Sequence, residues 1–536
     1  MLLFRITVSA LLATFSGAAL AEVPVTTSFS GVLPHLTATA ESAPAVAAGL
    51  PSRSEAGIGA LMPWADRLYM LSYLSVPGYG AGTGLYEIDE GLSMLKVANH
   101  SSVFANRMIH HWTDQIVIGP YVIDAQRNIR VITDLLDVRI GAMAEHLLTP
   151  ETHVYMVSMD GPLYEVELAS LRATKLLDLV DALAIPVSAD PHTTGQCYPH
   201  FKDAITVHGG TDGKGGIPAG ATGGLLYVAS NGYNEADFVN GSSCGRLASW
   251  DGTPGGNWTV LETTAFYGLA ARKNYGRMLY ASGWDRKSAL LRAKDDGSPD
   301  APVAAGQGGW RTMRLPKASH AFDHGWQTEW PRIREVETER YLLDVHGLFY
   351  ELSPLGWGAA TWAVRPISQH LRVAPDFCSF RGMLVMGGNQ VSSIFDNNVV
   401  TGQSQSGLWL GKTDDLWSWG KPQGTGSVWR EERVDIGVPS DPYLMTGFDK
   451  KVLHLSYDGN STDPDNKGWE VAIELDTLGT AMVTGKWRRL ATITLSPGTP
   501  YVPYVFADGL SAHWVRVQIL SGLDSCESCT ATFVYT

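Results

Sequence analysis

Two side chains between residues 223 and 252 could act together on a carboxylate and a proton. This segment predicts two β-strands, LLYVAS and GRLASW, joined by a polar connection. Tyr233 follows the first strand, and Arg246 stands at the beginning of the second. A guanidinium can bind a carboxylate through two parallel hydrogen bonds, and a phenol can transfer a proton. The pair therefore predicts a site for an acidic sugar. The alternative is a packed tyrosine beside a solvated arginine, which is the commoner situation for such residues.

Two further segments combine polar and aromatic side chains with apolar strand residues. The segment 99–124 predicts a strand–turn–strand unit and carries His100, Asn106, Arg107, His110, His111 and Tyr121. The two adjacent histidines would point to opposite faces of a strand, so at most one of them faces a shared site. The segment 317–347 carries His320, His324 and His346. Both segments supply candidate proton carriers and ligands.

The elements that must position these residues are short β-strands. Apolar runs of strand length alternate with Gly, Asp and Asn turns along most of the chain. A related unit appears as GLYEID, GPLYEV, GLFYEL and GLWLGK, which indicates a repeat of roughly 40–60 residues. The pattern predicts an all-β fold, a β-propeller of four-stranded antiparallel sheets with about seven blades. A pair of β-sandwiches and a right-handed β-helix are the rival architectures, and one helix is expected at 168–184.

The predicted domain order is a signal peptide at 1–21, a poorly patterned lead-in at 22–55 and a single β-propeller catalytic domain at 56–536. Arg5, an apolar run and an A-x-A site that ends at Ala21 indicate the signal peptide. No later apolar stretch is long enough to predict a membrane span. We therefore expect a secreted protein.

Charge and cysteine content narrow the function classes. The formal net charge is −14. A nucleic-acid-binding protein would have a basic surface, so this charge argues against that class of protein. A site for an anion would need local cations to overcome this field. Of the five cysteines, Cys526 and Cys529 predict a disulfide. At least one of Cys197, Cys244 and Cys378 must then be free or bound to a metal.

Five segments occur in one order along the chain: ANRMIHHWTDQIVIGPYVID, SNGY with GRLASWDG, ASGWDRKSALLR, HAFDHGWQTEWPRIREV and DFCSFRGMLVMGG. Together they resemble the ulvan lyases that are built as seven-bladed β-propellers. The resemblance runs from about residue 50 to about residue 390 and is thinner beyond. It implies depolymerisation of a sulfated, uronate-containing polysaccharide by β-elimination.

The resemblance also implies roles for individual residues. Elimination beside a uronate carboxylate needs a cation to offset the developing charge, a base and an acid. Arg246 matches the cation, Tyr233 the acid and His100 the base. The implied substrate contacts are Asn106, Arg107, His110 and Tyr121. Tyr121 stands where the family more often has a histidine, so the identity of the base and of the polysaccharide stays open.

One structural zinc ion is a further implication of the resemblance. Its ligands would be His320, His324, His346 and Cys378, which offer the nitrogen and sulfur atoms that zinc prefers. The alternatives are a buried apolar role for Cys378 with histidines bonded to the backbone, or a second cluster of His192, Cys197, His200 and His208. No organic cofactor is expected.

The expected partner is an acidic polysaccharide, bound by a monomer, with no nucleic acid and no membrane. Two other function classes stay open. One is a glycoside hydrolase that uses an Asp/Glu pair on the same architecture, and the other is a propeller that binds sugars without turnover. The sequence contains no HExxH motif and no Walker A loop, so it does not point to a zincin or to a P-loop nucleotide site.

Overall fold

A computed structural model provides the structure of the chain. It describes residues 36–37, 56–74, 84–99, 105–187, 197–207, 224–232, 243–256, 258–271, 278–295, 310–318, 331–337, 340–352, 364–370, 374–388, 407–457, 468–496, 498–522 and 525–536. Within these residues β-strands dominate, and seven antiparallel sheets of four strands follow one another along the chain. The first described strand, β1 (Leu36–Thr37), belongs to the last of these seven sheets.

The first six sheets are built from strands that are consecutive in the chain. The first contains β2 (Ala56–Trp64), β3 (Arg67–Leu74), β4 (Leu85–Ile88) and β5 (Met94–Ala98). The second contains β6 (Arg107–His110), β7 (Gln115–Ile118), β8 (Tyr121–Asp124) and β9 (Ile129–Val131). The third contains β10 (Ile140–Glu145), β11 (His153–Ser158), β12 (Pro162–Glu167) and β13 (Arg172–Asp178).

The same order continues through the next three sheets. The fourth contains β14 (Phe201–Val207), β15 (Leu225–Ser230), β16 (Arg246–Trp250) and β17 (Thr259–Glu262). The fifth contains β18 (Ala265–Ala271), β19 (Met278–Trp284), β20 (Ala289–Asp295) and β21 (Trp310–Leu315). The sixth contains β22 (Arg332–Glu335), β23 (Tyr341–Val345), β24 (Leu348–Leu352) and β25 (Arg365–Gln369).

The seventh sheet joins the two ends of this series. It contains β26 (Phe377–Phe380), β27 (Met383–Gly388) and β28 (Gly407–Gly411), and β1 pairs with β28 as its outermost strand. A strand from the N-terminal side thus completes a sheet of late residues. This strand belongs to the lead-in predicted at 22–55, the rest of which lies outside the described residues.

The seven sheets form a closed ring. The innermost strands β2, β6, β10, β14, β18, β22 and β26 contact one another in this order, and β26 returns to contact β2. Hydrophobic clusters fill the spaces between sheets, and one of them joins the seventh sheet to the first through Phe380, Val385, Ile58 and Met70. Strands packed on both faces are apolar almost throughout, as in the buried run Val154–Ser158 of β11. The predicted all-β propeller is confirmed.

The C-terminal part of the chain departs from the predicted single propeller at 56–536. It contains β29 (Gly424–Val434), β30 (Tyr443–Leu444), β31 (Lys451–Tyr457), β32 (Trp469–Asp476), β33 (Arg488–Leu495), β34 (Tyr501–Val505), β35 (Trp514–Ser521) and β36 (Cys526–Tyr535). Their order is β29-β36-β31-β34 in one sheet and β30-β35-β32-β33 in the other, which continues from β21 of the fifth sheet so that the two together have eight strands. Such interleaved orders differ from the sequential order of a blade. The prediction is corrected to a propeller followed by two further sheets.

These two sheets pack against each other and against the propeller. Phe533 of one and Trp514 of the other share a hydrophobic cluster that also contains Met313 and Tyr350 of the fifth and sixth sheets. The strand β30 pairs with β21 in parallel, at Arg314 and Tyr443. The C-terminal sheets are therefore continuous with the core of the propeller at this side.

Two short α-helices are described, α1 (Leu179–Ala182) and α2 (Ala481–Thr484), with 3-10 helices at Thr133–Leu135 and Thr413–Ser418. The helix predicted at 168–184 is wrong over most of its length. Residues Arg172–Asp178 form β13, an outer strand whose side chains are largely exposed. In an exposed edge strand, apolar and polar residues need not alternate strictly. The apolar residues of β13 therefore fall at a spacing that is also typical of a helix. Among the described residues, every helix is too short or too polar to span a bilayer.

The five cysteines form two disulfides and one free thiol. Cys526 and Cys529 form the expected disulfide. Cys197 and Cys244 form a second one, and Cys378 is free and buried. Because Cys197 is bonded to Cys244, it does not offer a thiolate to the alternative metal cluster of His192, Cys197, His200 and His208.

Candidate functional site

The direction of the innermost strands defines two faces of the ring. We call the side where these strands begin the upper face and the side where they end the lower face. The connections β5–β6, β15–β16 and β21–β22 join strand ends at the upper face. His100, Tyr233, His320 and His324 belong to these three connections in the sequence, and all four lie outside the described residues. Arg246, at the start of β16, is the described member of the predicted catalytic set.

Arg246 is a buried cation held by carbonyl groups. Its residue is 6% exposed. Its Nη1 donates to the carbonyl oxygens of Ser243 (2.6 Å) and Gly245 (2.7 Å). Weaker contacts of 3.4 Å run from Nε to Leu183 and from Nη2 to Ala184. No carboxylate pairs with Arg246 in the described part of the chain, where its partners are carbonyl dipoles.

The environment of Arg246 follows from its register. It lies opposite Ser230, the last residue of β15, and the described residues Asn231 and Gly232 lead from there toward Tyr233. The disulfide between Cys197 and Cys244 ties the segment before β14 to the segment before β16. Burial lowers the pKa of the Arg246 guanidinium, but an arginine stays protonated at neutral pH. The arrangement can therefore present a fixed cation near the rim of the fourth sheet.

Three residues near this rim were not singled out from the sequence. Arg139 donates to both carboxylate oxygens of Asp160, and its Nη2 also lies 3.2 Å from the hydroxyl of Tyr198. No sequence motif marks this group, because its members come from three separate connections. The neighbouring Asn231 is fully buried, and its side-chain amide has no hydrogen-bond partner in the described part of the chain. In the sequence, the feature that points to Asn231 is its place in SNGY, at the end of a predicted strand.

The predicted substrate contacts separate into different places. The hydroxyl of Tyr121 donates to the carbonyl of Asn99 at 2.6 Å, and burial raises the pKa of Tyr121. Tyr121 therefore stabilises the residue that precedes His100. His110 is fully buried at the lower end of β6, where its ring nitrogens contact Thr113 (2.7 Å) and the carbonyl of Pro150 (2.6 Å). The structure thus separates His110 from the upper face, which corrects its grouping with Tyr121.

Asn106 and Arg107 lie in the central channel of the ring. Asn106 donates to Asp203 at 2.8 Å and accepts from Arg334 at 3.3 Å. The Nε of Arg107 donates to the carbonyl of Leu61 at 2.9 Å and lies 3.4 Å from Asp376. Both residues thus join a polar network that connects several sheets.

Asp376 is the centre of this network. It is fully buried, accepts the backbone N–H of Leu61 at 2.8 Å and pairs with the Nε of Arg334 at 2.8 Å. Burial by itself would raise the pKa of Asp376, but the attraction of Arg334 and Arg107 outweighs it, and the pKa is lowered. Asp376 is therefore a charged structural group and not a proton donor at neutral pH.

Arg332 closes the channel above this network. It is fully buried and donates to the carbonyl oxygens of Ala105 (2.5 Å), Pro375 (2.8 Å) and Lys202 (3.4 Å). These carbonyls belong to the upper ends of the second, seventh and fourth sheets. The guanidinium carbon also lies 4.9 Å from the ring centre of Tyr267 in the fifth sheet. The segment PRIREV carried the signal, since Arg332 and Arg334 stand two apart and share one face of a strand.

Two members of the predicted zinc set are described. His346 lies with Gly347 in a two-residue turn between β23 and β24, both with positive φ (48° and 76°), and its ring packs 5.1 Å from that of Trp284. Cys378 packs with Ile58 and Phe380, and burial raises the pKa of its thiol to about 12. No cluster of three potential metal ligands occurs among the described residues. The zinc site stays a prediction, because His320 and His324 lie outside them.

The sequence matches no family model and no curated protein. Among solved structures, the chain is similar to the WD40 repeats of RRP9, with 8% identity, a TM-score of 0.39 and coverage of 71% of this chain and 99% of that one. Its similarity to U3-55K gives 8% identity, a TM-score of 0.38 and coverage of 67% and 98%. The chain is also similar to a computationally designed protein, Ika8, with 11% identity, a TM-score of 0.32 and coverage of 67% of this chain and 94% of that one. Scores this low carry no argument about function, and the fold is assigned from the sheet order.

Proposed function

We propose that the protein is a secreted polysaccharide lyase that cleaves a uronate-containing, ulvan-like polysaccharide by β-elimination. The observation that carries the proposal is the state of Arg246: a buried guanidinium at the upper face, bound by carbonyls and without a carboxylate partner in the described residues. A guanidinium can bind the carboxylate of a substrate through two parallel hydrogen bonds. The family resemblance supplies the chemistry, and Arg246 is the described residue that fits it.

The proposed reaction has three roles. Arg246 binds the uronate carboxylate and stabilises the negative charge that develops there. His100 removes the proton on the carbon next to the carboxylate, and the electron pair forms a carbon–carbon double bond as the glycosidic C–O bond breaks. Tyr233 gives its proton to the departing oxygen. Tyr121, whose hydroxyl binds the carbonyl of Asn99, supports the connection that carries His100.

Further parts of the proposal concern the surroundings of the enzyme. The disulfides Cys197–Cys244 and Cys526–Cys529 support an exported protein, because such bonds persist in oxidising compartments. The N-terminal signal pattern supports the same location. We include one structural zinc held by His320, His324, His346 and Cys378, and a monomer that binds an acidic polysaccharide.

The decisive experiment compares substitutions at Arg246 and Tyr233. The double bond of the product absorbs in the near ultraviolet, so initial rates can be measured on a panel of uronate polymers. We expect Arg246→Gln to lower the rate by about 100-fold or more, since a pre-organised group that stabilises developing charge is lost. Tyr233→Phe should abolish elimination while polymer binding is kept. Arg433→Gln, a change at an exposed arginine far along the chain, is the matched control.

Three results would contradict the proposal. Wild-type rates in Arg246→Gln would remove the role of that cation. New reducing ends without the ultraviolet signal would instead identify a hydrolase. Binding without any turnover on every polymer tested would identify a sugar-binding propeller.

A further inference from the structure

The central channel contains a cavity that the proposed lyase reaction does not use. Its volume is about 320 Å³. It is lined by the lower parts of innermost strands, including Met62 of β2, Glu145 of β10, Thr206 of β14 and Leu269 of β18. His111, which follows the lower end of β6, also lines it. The cavity therefore lies on the lower side of the channel.

A layer of buried charged residues separates this cavity from the upper face. Arg332 binds carbonyls at the upper ends of three sheets. Below it, Asn106, Asp203 and Arg334 form the inner end of the cavity. Each of the three residues is 8% exposed or less. A ligand in the cavity would thus be remote from the rim that holds Arg246.

The carboxylates at the inner end of the cavity already have partners. Asp203 accepts from Asn106 (2.8 Å) and from the backbone N–H groups of Ala204 (3.0 Å) and Leu269 (2.8 Å). Asp376, behind the lining, is held by Leu61 and Arg334. The partners of both carboxylates thus lie inside the protein and offset their negative charges.

Arg107 differs from these groups because the described residues contact its Nε and not its terminal nitrogens. Its Nε contacts Leu61 and Asp376, whereas Nη1 and Nη2 have no hydrogen-bond partner in the described part of the chain. The side chain is 16% exposed and lines the cavity. A guanidinium with two free terminal nitrogens matches a planar carboxylate in bidentate geometry.

The walls restrict the rest of the ligand. Met62, Met108, Met143 and Leu269 give the cavity apolar sides, and thioethers adapt to irregular shapes. A fully hydrated inorganic ion would leave these sides unused. A small organic acid, such as a monosaccharide with a carboxylate, would place its carbon skeleton against them.

We propose that this lower cavity is a binding site for a small organic acid, whose carboxylate is held by the terminal nitrogens of Arg107. The site is separate from the upper face and does not depend on the lyase activity. The network of Asn106, Arg334 and Asp376 positions Arg107 for this role.

Calorimetric titration of the full chain tests the proposal with three probes: glucuronate, glucose and sodium sulfate. We expect glucuronate to bind, glucose to fail because it has no carboxylate, and sulfate to bind more weakly because it leaves the apolar walls empty. Arg107→Gln should weaken glucuronate binding by at least about tenfold, the usual loss for a charge-assisted pair. Arg127→Gln removes an arginine of the same sheet that is 41% exposed and pairs with Glu87, and it should bind like the wild type.

Further variants keep the outcome clear. Thermal unfolding shows whether Arg107→Gln is folded, and if it is not, Arg107→Lys keeps the charge but loses the bidentate geometry and should also bind more weakly. The proposed rim site also binds a uronate carboxylate, so the titration is repeated in the Arg246→Gln background, where that site is removed. Adding Arg107→Gln to this background should still weaken the remaining glucuronate binding by at least about tenfold, which separates this proposal from the proposed function. Glucuronate binding that is absent in Arg246→Gln, or that is unchanged when Arg107→Gln is added to it in a folded protein, would overturn the site. Sulfate that binds as tightly as glucuronate would overturn the ligand class.

Discussion

Two regions of the propeller handle buried arginines in opposite ways. In the centre of the channel, Arg334 is paired with a buried carboxylate, and Arg332 donates to three carbonyls while packing against an aromatic ring. At the rim of the fourth sheet, Arg246 is as buried as Arg334, but its partners among the described residues are all carbonyls. Among the described residues, the carboxylate that pairs with a buried arginine is thus found in the centre, at Arg334, and not at the rim. Stability therefore rests on the central ion pairs, while anion binding is proposed at Arg246 on the rim and, separately, at Arg107 in the lower cavity.

The central network also connects sheets that are not neighbours in the ring. Arg332 of the sixth sheet contacts carbonyls of the second, fourth and seventh. Hydrophobic clusters, by contrast, join adjacent sheets. Removing a central charge should consequently affect the whole ring, while a change at the rim should affect its surroundings alone.

The largest expected effect comes from removing the central charge. Asp376→Asn leaves Arg334 and Arg107 without their shared anion, and breaking a buried ion pair from one side costs about 3 to 5 kcal/mol. Chemical unfolding followed by circular dichroism measures this loss. The matched control is Asp435→Asn, whose partner Arg433 lies at 3.2 Å with both side chains more than 60% exposed. Such a surface pair contributes about 1 kcal/mol or less, and equal losses in both variants would contradict the special role of the centre.

The next effect tests what holds the rim in place. Replacing both Cys197 and Cys244 by Ala removes a bond between residues 47 positions apart. Chain-entropy arguments predict a loss of about 3 to 4 kcal/mol, with elimination also reduced because Arg246 is no longer fixed. Chemical unfolding of the oxidised protein measures the loss of stability, and initial rates measure the loss of elimination.

The second disulfide provides a control for that experiment. Cys526 and Cys529 are 3 positions apart, so their replacement should cost less than about 2 kcal/mol and leave elimination unchanged. If removing this disulfide lowered stability as much as removing Cys197–Cys244, the effect of the rim disulfide could not be attributed to its position.

The smallest effect on stability is expected at Arg246 itself. Arg246→Met removes a buried cation that has no carboxylate partner among the described residues and leaves the carbonyls of Ser243 and Gly245 without this donor, so the free energy of unfolding should fall by about 1 kcal/mol. The same variant should lose elimination almost completely. A destabilisation as large as that of Asp376→Asn would show that Arg246 is a structural group like those of the centre.

Strand runs were the part of the fold that the sequence indicated best. KVLHLSY coincides with β31, and GLLYVAS and WVRVQIL differ by one residue from β15 and β35. Such strands alternate between apolar runs and turn residues, which is a local property. The order of β29 to β36 was missed, because interleaved pairing of distant strands leaves no mark on spacing along the chain.

The candidate site was predictable only in part, for a similar reason. Residue types identified Arg246, and the chain order of the strands explains why its connection and those of His100 and His320 share the upper face. The roles of Asn106 and Arg107 could not be foreseen, because their partners Asp203 and Asp376 are 97 and more than 260 positions away. Neither aspartate stands in a motif.

The sequence by itself determined the strands, the turns between them and the all-β class, because these depend on the alternation of side chains over a few residues. It also supplied the chemical types at the rim. Only the tertiary structure decided which charges are compensated. Asp376 neutralises Arg334 in the closed ring, and Arg246 stays without such a partner in the described residues. Compensation depends on distances of a few ångström between segments far apart in the chain, and these exist only after the ring has closed.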